Sequence, residues 1–141
     1  MTFKNNKILV TGAAGFLGTN VLKGLSKSGA NIRAVIHDNP LQIPKGRTSI
    51  IKADLTKKED CARVCVGMDI VIMCAASTAG AGVMATNPLA LVTPNVVMNT
   101  LMLEAAYVAG VKKFVFISSN AVYPPFEYPV KEEEMMDGPP F

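Results

Sequence analysis

Apolar residues recur with two alternating periods along most of the chain, one typical of buried strands and one typical of helices. Short runs rich in β-branched residues predict strands at Lys7–Thr11, Ile32–Ile36, Ser49–Ala53, Asp69–Ala76 and Lys113–Ser118. Apolar residues at helical spacing predict helices over Phe16–Ser28, Lys57–Val66 and Asn95–Ala109. Strand and helix therefore alternate, which is typical of an α/β domain.

This alternation predicts the arrangement of the sheet. Parallel strands joined through helices make right-handed crossovers, so helices cover both faces of the sheet. We expect a Rossmann-type, doubly wound parallel sheet of five strands in the order 3-2-1-4-5, incomplete on its C-terminal side. The domain should span residues 1–124. Prolines and the acidic run Glu132–Glu134 predict an irregular segment over residues 125–141, leading toward a substrate domain absent from this chain.

Composition narrows the class of protein. Half of the 141 residues are hydrophobic and 18% are charged, which indicates a globular protein. The net charge of +3 is too small to indicate a surface that binds nucleic acid. We find no signal-peptide core and no apolar run approaching the ~20 residues that span a bilayer, so we expect a cytoplasmic protein without membrane contact. Cys61, Cys65 and Cys74 lack partners for a zinc site; we expect buried, reduced thiols and no metal.

A glycine-rich segment joins the first strand to the first helix. In Thr11–Gly18, Gly12 permits a tight turn, Gly15 allows backbone N–H groups to approach a pyrophosphate, and Gly18 allows close packing of helix on strand. The helix N-terminus adds a positive dipole end. The alternative is a tight turn without a ligand. Its position in a strand–turn–helix unit favours dinucleotide binding.

Four further motifs follow this loop. Asp54-Leu55 follows the third strand, and the small residues Ala75-Ala76-Ser77 end the fourth. Asn95 opens the segment NVVMNTLMLEAA, and residues 117–124 read ISSNAVYP. With the Gly-x-x-Gly-x-x-Gly spacing, these motifs resemble those of the extended short-chain dehydrogenase/reductase family, the NAD-dependent epimerases and dehydratases. The resemblance extends over residues 7–124.

The resemblance implies a cofactor, NAD or NADP, and a set of residues that bind it. Asp54 would face the adenine amino group, with a helix cap or a solvated turn as its alternative role, and residues 75–77 would pass along the nicotinamide ribose. The implied cofactor-binding residues are Gly12, Ala14, Gly15, Phe16, Leu17, Gly18, His37, Asp38, Asp54, Leu55, Ala75, Ala76, Ser77, Asn95 and Ser118.

The end of the second strand leaves the choice of cofactor open. NAD-binding proteins usually end this strand with an acid that accepts a hydrogen bond from the ribose 2′-hydroxyl. Ile36 occupies that position here. His37 follows, where NADP-binding members of the family often carry Arg, and Asp38 would supply an acid if the strand end shifts. A surface role for His37 is the alternative.

The family's chemistry uses a Ser or Thr together with a Tyr-x-x-x-Lys pair. Ser119 matches the catalytic Ser, four residues before Tyr123, with a structural role at the strand end as its alternative. None of Tyr107, Tyr123 and Tyr128 has a Lys four residues later. We therefore expect this chain to be the N-terminal part of a larger enzyme, inactive alone, whose parent forms a homodimer.

The loop after the fourth strand is similar to that of the family branch containing GDP-fucose synthases and nucleotide-sugar 4-epimerases. The resemblance implies that Thr78, Asn120 and Ala121 contact the substrate. Ala121 stands where a Cys acts in double epimerisation, and Asn120 replaces the acid of dehydratases. These two departures argue against double epimerisation and dehydration, and leave a nucleotide-sugar 4-epimerase or a simple ketone reductase as the expected activity. The alternatives are an NADP-dependent reductase of a small non-sugar carbonyl and a non-catalytic NAD(P)-sensing module.

Overall fold

A computed structural model of the chain describes residues 3–41, 47–87, 89–119, 122–124 and 127–136. In chain order its elements are β1 (Lys7–Thr11), α1 (Phe16–Leu25), β2 (Asn31–Ile36), β3 (Thr48–Lys52), α2 (Lys58–Cys65), β4 (Ile70–Met73), α3 (Ala81–Thr86), α4 (Leu89–Val108) and β5 (Lys113–Phe116). A short 3₁₀ helix, Glu132–Met136, follows within the segment that we expected to be irregular.

The five strands form one parallel sheet in the order β3-β2-β1-β4-β5, which confirms the predicted topology. β1 lies at the centre, paired with β2 on one side and β4 on the other. After β3 the chain crosses to β4 on the other side of β1, so the strand order reverses and the switch point lies between β1 and β4. Ligands of such sheets bind at the carboxyl ends of the strands beside the switch point.

Both faces of the sheet are covered because its strands carry apolar residues on both sides. Leu9 and Val71 pack with Met98 and Met102 in the core beneath α2 and α4. Ile8 and its strand neighbours pack on the opposite face, beneath α1, in a second core. The strands are therefore fixed from both sides, and their carboxyl ends form a rigid edge.

The region between β4 and β5 differs from the prediction. A short helix, α3, precedes α4, and α4 begins at Leu89 instead of Asn95, with Pro94 inside it. A proline inside a helix leaves the carbonyl group four residues earlier without its usual N–H donor. Pro94 lies only five residues after the helix start. The side-chain Nδ2 of Asn95 donates a hydrogen bond to the carbonyl oxygen of Leu91 at 2.8 Å, which satisfies one acceptor in this turn.

The longer α4 also changes the expectation about apolar runs. At 20 residues and a mean hydropathy of 1.3, α4 is long and apolar enough to cross a membrane by length and composition, so the statement that no run approaches this length is wrong. These criteria alone are weak evidence, because core helices of soluble proteins also meet them. Met98, Met102 and Ala106 on α4 are buried against the sheet.

The cysteines behave largely as expected. Cys61 and Cys65 are buried in α2, while Cys74, after β4, is half-buried. Burial raises the pKa of both Cys61 and Cys65 to about 11, which keeps them protonated and unreactive. No cluster of metal-ligating side chains occurs among the residues that the structure describes.

Candidate functional site

A cavity of about 430 Å³ opens at the carboxyl edge of the sheet. The segments that follow β1, β2, β3 and β4 form its walls, and α4 closes one side. Its lining residues are Gly12, Ala14, Gly15, Val35, Ile36, His37, Asp38, Asn39, Ala53, Asp54, Leu55, Thr56, Cys74, Ala75, Ala76, Ser77, Thr78, Pro94 and Met98. Volumes of this order are typical of small-molecule sites.

The glycine loop forms the floor of this cavity. Gly12 has a φ of +59°, and a Cβ there would lie 2.7 Å from the backbone of Ala75. A Cβ on Gly18 would come within 2.8 Å of the Cα of Ala13. At Gly15 a Cβ would meet only the carbonyl of Gly12, at 3.2 Å. Gly12 and Gly18 are therefore required by conformation and packing, whereas Gly15 leaves space in front of the α1 N-terminus.

Thr11 holds the glycine loop against the segment after β4. Its side chain is fully buried, and its hydroxyl oxygen accepts hydrogen bonds from the N–H groups of Cys74 at 3.2 Å and Ala75 at 3.1 Å. The same hydroxyl donates to the sulfur of Met73 at 3.1 Å. Neighbouring carboxyl ends of β1 and β4 are thereby locked together beneath the cavity.

Asn95 fixes the opposite wall without lining the cavity itself. Its Oδ1 accepts from the N–H of Ser77 at 2.8 Å, and its Nδ2 donates to the carbonyl of Ser77 at 2.9 Å. One side chain thus holds both backbone groups of a lining residue. The structure gives Asn95 a positioning role, because its amide is committed to the protein backbone; its direct contact with a cofactor stays a prediction.

Asp54 lines the cavity at the end of β3 and also shapes its own turn. Its Oδ1 accepts from the hydroxyl of Thr56 at 2.6 Å and from the Thr56 N–H at 3.0 Å, and Lys57 Nζ lies 3.4 Å from Oδ2. The Thr56 hydroxyl, then its N–H, hold the pKa of the Asp54 carboxyl below its usual value. This is the turn role that we kept as the alternative, in a residue that still faces the cavity.

Most of the sequence-predicted residues come together here. Eleven line the cavity: Gly12, Ala14, Gly15, His37, Asp38, Asp54, Leu55, Ala75, Ala76, Ser77 and Thr78. Phe16 is 83% exposed and does not line it, nor do Leu17, Gly18, Asn95, Ser118 and Ser119. Asn120 and Ala121 lie outside the described residues.

Ser118 and Ser119 lie beyond the end of β5, which stops at Phe116 instead of reaching Ser118. Because Met73 pairs with Phe116, the two serines follow β5 at the same edge where residues 74–78 follow β4. The predicted strand Lys113–Ser118 is therefore two residues too long, and neither serine belongs to a strand. Their side of the edge is nevertheless the ligand side of the sheet.

Several lining residues were missed by the sequence analysis: Val35, Ile36, Asn39, Ala53, Thr56, Cys74, Pro94 and Met98. Six of them neighbour predicted site residues on the strand ends. Pro94 and Met98 both come from α4, one helical turn apart. A correct helix start would have included Pro94, whereas Met98 already lay within the predicted helix. The helical spacing of Leu91, Asn95 and Met98 was the available signal.

Comparisons with known proteins agree with this geometry. Residues 8–141 match the family described as the NAD dependent epimerase/dehydratase family. The chain is 29% identical over 126 residues to GDP-mannose 3,5-epimerase of Arabidopsis thaliana, covering 88% of this chain and 33% of that protein. It is 26% identical over 136 residues to GDP-L-fucose synthase of Sinorhizobium fredii, covering 94% of this chain and 39% of that protein.

Two solved structures share the fold and a recognisable part of the sequence. Epimerase Mth375 of Methanothermobacter thermautotrophicus is 28% identical with a TM-score of 0.81, over 94% of this chain and 41% of that one. MoeE5, solved in complex with UDP-glucose and NAD, is 31% identical with a TM-score of 0.80, over 96% of this chain and 42% of that one. The chain thus spans about a third to two fifths of the length of these relatives. From the family match together with the sheet order and the glycine loop, we conclude that the chain belongs to the NAD-dependent epimerase/dehydratase family.

Proposed function

We propose that this chain binds NAD or NADP in the carboxyl-edge cavity and forms the cofactor half of an enzyme that transfers hydride at a carbon of a nucleotide sugar. The observation that carries the proposal is the glycine loop at the switch point of the sheet, with the α1 N-terminus behind it. UDP-glucose and NAD occur together in the related structure of MoeE5, which supports both ligand classes.

The lining residues fit a dinucleotide. Gly15 precedes α1 and carries no side chain, so the first N–H groups of the helix and the helix dipole can meet a pyrophosphate. In this proposal Asp54, which lines the cavity beside Thr56, would meet the adenosine end. The small side chains of Ala75, Ala76 and Ser77 leave room along the wall that Asn95 fixes. When bound, the nicotinamide would supply the hydride acceptor and donor.

Ser119 is our proposed catalytic residue. It follows β5 at the same edge as the cavity wall, and a serine hydroxyl can donate to a substrate oxygen. Thr78, Asn120 and Ala121 are the proposed substrate contacts. A Tyr-x-x-x-Lys pair is not contained in the 141 residues, so turnover by the whole protein is part of the proposal and is not expected of this chain alone.

The test uses the complete gene product with NAD or NADP and a panel of UDP- and GDP-sugars, following nicotinamide absorbance and sugar epimerisation. Ser119→Ala should lower kcat by roughly 10²–10⁴, the usual contribution of a positioned acid–base group. Ser49→Ala, which removes the hydroxyl of an exposed serine on β3 that does not line the cavity, is the matched control and should retain kcat. Unchanged kcat in Ser119→Ala, with a lowered Tm, would assign Ser119 to structure alone.

A reductase of a small non-sugar carbonyl is the second candidate. The chain is also 30% identical over 125 residues to a 3 beta-hydroxysteroid dehydrogenase/Delta 5-->4-isomerase of Mycobacterium tuberculosis, covering 86% of this chain and 34% of that protein. Turnover of a hydroxysteroid, with no turnover of any nucleotide sugar, would favour this candidate over the first.

A further inference from the structure

The amino edge of the sheet, opposite the cavity, carries a row of basic residues. The N–H of Asp69 donates to the carbonyl of Lys7 at 2.8 Å, and the N–H of Lys112 donates to the carbonyl of Asp69 at 2.9 Å, so the starts of β1, β4 and β5 lie side by side. On the other side of β1, Lys7 pairs with Asn31, and Arg47 comes directly before β3. Neighbouring strands lie about 4.8 Å apart, so the row from Arg47 to Lys112 is roughly 19 Å long.

Further cations lie beside this row. Lys4 lies next to the turn after α1, which follows Lys27, and Lys113 is the first residue of β5. Within the described parts of the chain, Asp69 is the one acidic residue at this edge, and its carboxylate is already paired with the Lys112 ammonium at 2.9 Å. The net charge of +3 is therefore unevenly distributed, and this edge is strongly positive. We call its exposed cations the basic edge: Lys4, Lys7, Lys27, Arg47, Lys112 and Lys113.

Exposed apolar side chains lie next to the basic edge. Helices that link parallel strands run back along the sheet, so α2 and α4 both end at its amino edge. Val66, which follows α2, is 64% exposed, and Tyr107 and Val108, the last two residues of α4, are 86% and 78% exposed. One end of the molecule therefore combines cations with an aromatic and two aliphatic side chains.

We infer that this end of the chain is a docking surface for an anionic lipid bilayer. Lysine and arginine side chains are attracted to acidic headgroups, while tyrosine and apolar side chains partition into the boundary between headgroups and acyl chains. Duplex nucleic acid would use the cations but would gain little from exposed valines, because its affinity comes mainly from its phosphates. The combination therefore favours a lipid surface over a nucleic acid.

The contact is peripheral. We expected no membrane contact because the sequence offers no spanning segment, and a surface contact needs none. Met98, Met102 and Ala106 keep α4 packed on the sheet, so only the end of this helix meets the lipid. Few apolar groups enter the bilayer, so binding should be weak and reversible and should be lost in high salt, which screens exposed charges. The cavity lies at the opposite edge, so a docked chain keeps it open to solvent.

The experiment is co-sedimentation of the 141-residue chain with large unilamellar vesicles of phosphatidylcholine alone or of an equimolar mixture with phosphatidylserine. The chain should bind the anionic vesicles at low salt, should bind the neutral vesicles much less, and should be released in about 1 M salt. ADP-ribose should bind the free and the vesicle-bound chain equally well. Failure of ADP-ribose to bind either would count against the proposed function and not against this inference.

A pair of double variants tests the charge. Lys7→Gln with Lys113→Gln removes two ammonium groups that form no ion pair within the described residues, and should weaken binding to anionic vesicles by roughly 10- to 30-fold. Lys52→Gln with Lys58→Gln is the matched control. It makes the same change in net charge with two exposed lysines, at the end of β3 and the start of α2 on the carboxyl side, and should leave vesicle binding nearly unchanged.

A second pair tests the apolar contact. Tyr107→Ala with Val108→Ala should weaken vesicle binding by roughly three- to tenfold without lowering Tm, since both side chains are exposed. The control is Val92→Ala with Val96→Ala, which truncates two exposed valines about 17 Å or more back along α4 and should leave vesicle binding unchanged.

Three results would overturn the inference. The first is equal binding to neutral and anionic vesicles, or no binding to either at low salt. The second is an equal loss in the two lysine double variants. The third is unchanged vesicle affinity in Tyr107→Ala with Val108→Ala. Binding of duplex DNA by a chain that ignores vesicles would assign the basic edge to nucleic acid instead.

Discussion

Replacing Asn95 tests whether α4 sets the shape of the cavity wall. The Asn95 amide makes three hydrogen bonds, two with the backbone of Ser77 and one with the carbonyl of Leu91, at 2.8–2.9 Å. Each such bond contributes about 1 kcal/mol net, and the site is only partly buried, so Asn95→Ala should lower the free energy of unfolding by about 2 kcal/mol. That corresponds to a fall in Tm of roughly 6–10 °C for a chain of this size.

Asn95→Asp separates geometry from charge. A protonated Asp keeps one donor and one acceptor for Ser77, whereas the ionised form can only accept and would face two carbonyl oxygens. The folded-state pKa of this Asp should therefore lie above its unfolded value of about 3.9. Because the folded state then binds the proton more tightly, the variant is closest to the unmodified chain at low pH and loses stability as pH rises through the folded pKa.

The assay is urea unfolding of the unmodified chain, Asn95→Asp and Asn95→Ala at about pH 7 and about pH 4.5, with ADP-ribose titrated into each. The stability deficit of Asn95→Asp should be smaller at the lower pH, and that of Asn95→Ala should not change. Both substitutions should weaken the binding of ADP-ribose more than the binding of AMP at pH 7, because in the proposed binding mode Ser77 contacts the part of the ligand beyond the adenosine. A deficit in Asn95→Asp that is the same at both pH values would refute the bonding scheme.

Two further predictions concern groups that hold the strand ends together. Thr11→Val leaves the N–H groups of residues 74–75 without their acceptor and should lower the free energy of unfolding by about 1–3 kcal/mol, whereas Thr11→Ser should remain close to the unmodified chain in urea unfolding. The Lys7 N–H, followed by the Lys112 ammonium, holds the pKa of Asp69 below 3.8. Its stabilisation is therefore complete above that pH and is lost as pH falls through the lower folded pKa, so Asp69→Asn should flatten the acid limb of a stability–pH curve.

The sequence predicted most of the fold because the strands are apolar on both faces and because glycines mark several of the turns between strands and helices. All five strands begin within one residue of their predicted starts, and the predicted ends differ most from the observed ends for β4 and β5. Those ends were predicted too long because the apolar runs continue past the last ladder pair, as at Cys74 and Ile117. Residues of such a run pack near the sheet without belonging to it, which periodicity alone does not distinguish.

The site was predicted less completely, and α4 shows why. The helix was predicted to begin at Asn95, but α4 begins at Leu89 and contains Pro94. Contacts of the turn after Pro94 with the sheet and with Ser77 compensate for the N–H that proline lacks. Asn95 was assigned to the cofactor by motif, although its bonds to Ser77 depend on a loop eighteen positions away. Interactions between distant segments of this kind are absent from a local pattern.

The measurement that tests the central claim most directly is titration of ADP-ribose into the unmodified chain, Gly15→Val and Gly24→Val. A side chain at Gly15 stands before the α1 N-terminus, while its Cβ meets only the Gly12 carbonyl, so the fold should survive. Gly24, in the same helix, has open space around it and is the matched control. We predict at least a tenfold loss of affinity in Gly15→Val, the size of one lost charge-assisted contact, and none in Gly24→Val. Equal affinity of all three proteins would contradict the assignment of this cavity to a dinucleotide.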